Sequence, residues 1–131
     1  MKARKKRLLV FGNPLVKEDS LPLEILPMLR EEFPEYEFAE FDAAENLEEE
    51  GEELTIIDAV RGIEKVTLIS DVDALSESKR YTMHDFDLAI TLKLLRKMNI
   101  VKSILIFGVP VGYGKLKAFE ELKALIRANL S

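Results

Sequence analysis

Apolar and polar positions divide the chain into short apolar runs and longer periodic stripes. Leu8-Leu9-Val10-Phe11, with charges before it and Gly12-Asn13-Pro14 after it, predicts a buried strand ending in a turn. Over residues 19–33 the stripe Leu21, Ile25, Leu26, Met28, Leu29, Phe33 predicts a helix. Asp19 or Ser20 would cap it and Pro22 suits its first turn, whereas Pro27 should kink or interrupt it. Residues 37–41 alternate polar and apolar, the mark of a half-exposed strand. The acidic stretch 42–53 reads as a loop or an exposed helical turn.

Residues 54–60 predict a strand with an aspartate near its end, and 65–70 another strand. The link between them cannot hold a helix, so the two are expected to be antiparallel neighbours. Residues 71–82 lack a period and read as a loop. From His84 to Met98 the pattern is helical, with Phe86, Leu88, Ala89, Ile90, Leu92, Leu94 and Leu95 over a wide apolar face. Residues 103–109 form the most buried-looking strand, stopped by Pro110. A last helix over 115–129 should turn Leu116, Phe119, Leu122, Leu125 and Ile126 inward. The glycines of 108–114 read as a flexible surface turn. Strands alternating with helices predict a single α/β domain over 1–131. Its expected form is a three-layer sandwich: an about five-stranded, mostly parallel sheet with one antiparallel hairpin and helices on both faces.

Composition narrows the possibilities. A chain of 131 residues with 47% apolar and 33% charged residues suits one globular domain with its own core. The apolar runs are too short for a membrane-spanning helix, and the start lacks the pattern of a signal peptide, so no membrane insertion and a cytoplasmic location are expected. The absence of cysteine removes disulfides, thiolate metal sites and thiol nucleophiles. Abundant Glu and Lys with no glutamine fits a thermophile. A net charge of −5 argues against nucleic acid as a partner, and the basic cluster Lys2, Arg4, Lys5, Lys6, Arg7 reads as a solvated lead-in to the first strand. Nothing in the pattern selects an oligomeric state.

In open α/β sheets, sites form outside the carboxyl ends of the strands. There the sequence offers Asn13, Glu18 and Asp19 after the first strand, Asp42 after the second, Asp58 near the end of the third, and the sole histidine, His84, followed by Asp85. Each has an ordinary structural use: a helix cap for Asp19, a turn for Asp58, a surface or cap position for His84. Together, two carboxylates and one imidazole form an oxygen/nitrogen set suited to Ni, Zn, Mn or Fe, with coordination positions left open. No serine lies in a nucleophile motif, and no Gly-x-Gly-x-x-Gly or Walker sequence occurs.

Four segments carry a resemblance to a known family: Phe11-Gly12-Asn13-Pro14-Leu15-Val16-Lys17-Glu18-Asp19, Ile56-Ile57-Asp58-Ala59-Val60, His84-Asp85-Phe86-Asp87-Leu88, and the strand ending Phe107-Gly108-Val109. In order and spacing the chain, from about Leu8 to Leu125, resembles the [NiFe]-hydrogenase maturation endopeptidases. The resemblance implies removal of a C-terminal peptide from a hydrogenase large-subunit precursor whose nickel, carried by the substrate, is the recognition element. It implies Asp19, Asp58 and His84 as metal-contacting residues, with Asp42 a further acidic position and Asp19, Asp58 and Asp42 the catalytic candidates. Two departures stand out. Ser20-Leu21-Pro22 replaces a small residue, a hydrophobic residue and glycine, and Ala43-Ala44 stands where glycines are common. They leave room for a catalytically silent adaptor of the same fold. A phosphoacceptor receiver domain is the other alternative, although Gly108-Val109-Pro110 stands where that site needs a lysine.

Overall fold

The computed structural model describes residues 6–12, 20–41, 47–70, 82–83 and 86–130. Six strands form one sheet: β1 (Lys6–Phe11), β2 (Tyr36–Phe41), β3 (Glu53–Arg61), β4 (Thr67–Ile69), β5 (Thr82–Met83) and β6 (Ser103–Pro110). Five of them run in the order β2-β1-β3-β6-β4. The four from β2 to β6 are mutually parallel, and β4 lies antiparallel to β6 at the edge. The two-residue β5 pairs antiparallel with the end of β3.

Among the described residues, four helices cover the sheet: α1 (Leu21–Glu24), α2 (Leu26–Glu32), α3 (Phe86–Lys97) and α4 (Lys115–Asn129). Strand side chains alternate between faces, and the two halves of the core follow that alternation. Leu9, Leu54, Ile56, Ile104 and Ile106 pack with Leu88, Leu92 and Leu95 of α3. Leu8, Val10, Ile57, Phe107 and Val109 pack with residues of α1, α2 and α4. The layers are therefore helix, sheet, helix, as the α/β pattern predicts. No helix of the described residues is long and apolar enough to cross a membrane.

Local expectations hold in places, such as the interruption by Pro27 and the helical turn in the acidic stretch, and change in others. The helix expected over 19–33 is two helices separated at Ile25, with Pro27 in the first turn of α2, where its missing N–H costs nothing. The acidic stretch supplies a 3₁₀ turn, Leu47–Glu50, whose Leu47 is fully buried while Glu48 and Glu49 are exposed. β5 begins at Thr82, the last residue of the segment read as loop; two residues are too few to show a period. On α4 the inward row is Ala118, Leu122 and Ile126, while Leu116 is 71% exposed. On α3, Ile90 and Leu94 face outward rather than into the core.

The largest correction concerns β3 and β4. They run in opposite directions but are not neighbours, because β6 lies between them. The link over 62–66 is too short for a helix, yet two strand spacings amount to only about 10 Å, within reach of five extended residues. The link crosses over β6 at Gly108. A Cβ on Gly108 would lie 2.9 Å from Val60 Cγ2 and 3.3 Å from Ile63 Cδ1. Gly108 is thus a strand residue whose missing side chain makes room for the crossing, not part of a flexible turn. The turn itself falls at Gly112, where φ is +77°.

Candidate functional site at the carboxyl edge of the sheet

β3 is the central strand, flanked by β1 and β6, and is buried from Leu54 to Val60. Asp58 lies inside this stretch and is only 2% exposed. The turn position that its residue type allows is therefore not where it sits. Alternation puts it on the same face as Leu54, Ile56 and Val60, the face that α3 covers. Aspartate is among the residues least often buried to this degree.

Asp58 stands level with the carboxyl ends of the parallel strands. It pairs in register with Gly108 of β6, which pairs in turn with Thr67 of β4. On the other side the Val10–Ile57 pair brings Phe11, one residue further on, to its level. Phe11 pairs with Phe41, the last residue of β2, their rings 5.4 Å apart. The Gly12 N–H donates to the Phe41 carbonyl at 3.3 Å, closing this edge between β1 and β2. β5 reaches the same edge: Met83 pairs with Val60 and Thr82 with Arg61. Since Val60 also pairs with Pro110 of β6, β5 takes the side that β1 occupies lower down.

Asp19, Asp42 and His84, like Asn13, Glu18 and Asp85, lie outside the described residues. Their chain neighbours are described. Gly12 follows β1, Ser20 starts α1, Phe41 ends β2, and Met83 of β5 is paired two positions from Asp58. Ser20 is the N-cap of α1 by position. Its hydroxyl donates to Glu24 Oε2 at 3.1 Å rather than serving as a backbone cap. Among the described residues, no three His, Asp or Glu side chains gather as a metal site would require.

One polar cluster at this edge has no local signal in the sequence. The Val66 N–H donates to Glu121 Oε1 at 3.0 Å, and the Tyr113 hydroxyl donates to Glu121 Oε2 at 2.8 Å. A single carboxylate on α4 thus holds both the end of the β3–β4 link and the turn after β6. The Val66 N–H, chief among these contacts, keeps the Glu121 carboxyl below the ordinary glutamate range, with the Tyr113 hydroxyl, Lys117 and Lys65 acting in the same direction. Desolvation, and then the hydrogen bond to that carboxylate, raise the Tyr113 hydroxyl above the usual phenol value.

No protein-family model matches the sequence, and no curated protein matches it. A crystal structure of an uncharacterized protein from Wolinella succinogenes is similar over 96% of this chain and 97% of that one, with a TM-score of 0.62 and 19% sequence identity. The likeness is one of fold.

Proposed function

We propose that this chain is an endopeptidase that removes the C-terminal extension of a nickel-loaded [NiFe]-hydrogenase large-subunit precursor. The observation that carries the reading is the position of Asp58. It is an almost fully buried carboxylate in the central strand, at the edge where strands β1 and β2 end and where β5 delivers the chain to its only histidine. In this reading Asp19, Asp58 and His84 complete the coordination of the nickel that the substrate brings. Gripping that ion holds the scissile peptide against the rim and polarises its carbonyl or a water. Asp42, next in sequence after Phe41, is the candidate general base, with Glu18 the alternative.

The adaptor reading draws on one feature. Pro22, where the resembling family has glycine, is buried in the first turn of α1. A receiver domain fits the sheet less well, because its strand order 2-1-3-4-5 is parallel throughout, whereas here the strand beyond β6 is antiparallel.

The test is incubation with nickel-loaded and nickel-free precursor, with the C-terminal peptide followed by mass spectrometry. Cleavage of the loaded form alone, lost in a folded Asp58→Asn variant, is the expected result. Binding without cleavage would assign the adaptor role. Cleavage indifferent to nickel or to Asp58 would overturn both the mechanism and the residue assignment.

A further inference from the structure

The link over 62–66, which carries the chain from β3 past β6 to β4, is fixed differently at its two ends. At the β3 end Gly62 has a φ of +89°, a conformation that glycine adopts without strain. At the β4 end the Val66 N–H donates to Glu121 Oε1 at 3.0 Å, and Val66 is buried. Between these ends Glu64 and Lys65 are exposed, as is Gly62 itself. Ile63 alone is drawn in, half-buried against the core cluster on the α3 side of the sheet. A segment with so little buried surface opens locally, at a fraction of the free energy of global unfolding.

Ile63 stands beside Asp58. Ile104 and Ile106 of β6 face α3, so alternation puts position 108 on that face, which is also the face of Asp58. Asp58 and Gly108 are register partners on adjacent strands. Gly108 has no side chain to flank the carboxylate. Ile63 of the link comes in instead, its Cδ1 3.3 Å from where a Gly108 Cβ would stand. A larger residue at 108 would be a permanent wall on the β6 side of Asp58. Glycine leaves that wall to a segment able to lift.

We propose that the link is a strap, hinged at Gly62 and latched by Glu121, and that lifting it opens the β6 side of Asp58. The latch is itself held in place, because the Tyr113 hydroxyl donates to Glu121 Oε2 at 2.8 Å. The strap and the turn after β6 therefore share one anchor. As a gate to a functional site the strap rests on the reading of Asp58 given above; as a motion it stands apart from that reading.

The chain has no cysteine, so single introduced thiols report the motion without background. Iodoacetamide labelling of Val66→Cys and Asp58→Cys in the full chain is compared with that of Ile106→Cys, which is fully buried in β6 and reports global unfolding. Urea unfolding supplies the global stability of each variant. Val66→Cys and Asp58→Cys are expected to label at comparable rates, both faster than global unfolding allows. Adding Glu121→Ala should raise both rates about tenfold, the effect of losing a hydrogen bond to a charged group. Amide exchange in the unsubstituted protein follows the same opening without a thiol: the Val66 N–H should exchange faster than those of Ile57 and Phe107. Labelling of Val66→Cys no faster than that of Ile106→Cys would overturn the proposal. So would an Asp58→Cys rate that fails to follow Val66→Cys, rates indifferent to Glu121→Ala, or a Val66 N–H as protected as the central strands. None of these readouts uses the precursor, so the strap and the cleavage reading fail separately.

Discussion

Gly108 occupies the middle of a strand, where glycine ordinarily weakens a sheet. Its neighbours explain it: Val60 of β3 and Ile63 of the β3–β4 link fill the space a side chain would need. Gly108→Ala should therefore destabilise the fold by roughly 1–3 kcal/mol through overpacking. Urea unfolding checks this; an unchanged midpoint would mean that the link shifts freely. Next to Gly108 in register, Asp58 shows how far a single residue is legible. Its place near the end of an apolar run is plain in the sequence. Its near-complete burial is not, because burial depends on strands and a helix supplied from elsewhere in the chain.

At the level of elements, apolar period served where it was long and failed where it was short or symmetric. α3 and α4 are apolar on more than one side, so composition does not say which side faces the sheet. The sheet selects Ala118, Leu122 and Ile126 over Leu116. The Glu121 contacts tie three elements together across a sequence separation of 55 residues to Val66. The fold favours the ionised form of Glu121, so its contribution to stability is present above the ordinary glutamate pKa and is lost as pH falls through the lowered folded value. Glu121→Gln should accordingly be less stable at neutral pH and lose less stability between about pH 5 and pH 3 than the wild type does. Thermal unfolding across that range is the measurement, and parallel pH profiles for the two proteins would refute the role.

For the whole molecule, the proposed metal grip depends on residues far apart in sequence: Asp19, Asp58 and His84. If they act together, isothermal titration with Ni²⁺ or Cd²⁺ should show binding that is lost in His84→Ala. Binding should also weaken below about pH 6, where the imidazole protonates and can no longer ligate. Unchanged affinity in His84→Ala would remove histidine from the site.

The α/β class, most strands and helices, the break near Pro27 and the set of polar residues near strand ends follow from the sequence alone. Side-chain period and the backbone limits of proline act within a few residues, and local rules reach that far. Tertiary structure decided the rest: β6 inserted between β3 and β4, β5 paired beside Asp58, the crossing over Gly108, and the outward row on α3. Each is a choice among partners of similar local fitness. Such choices are settled by which arrangement buries the most apolar surface at once, a property of the assembled chain and of no segment within it.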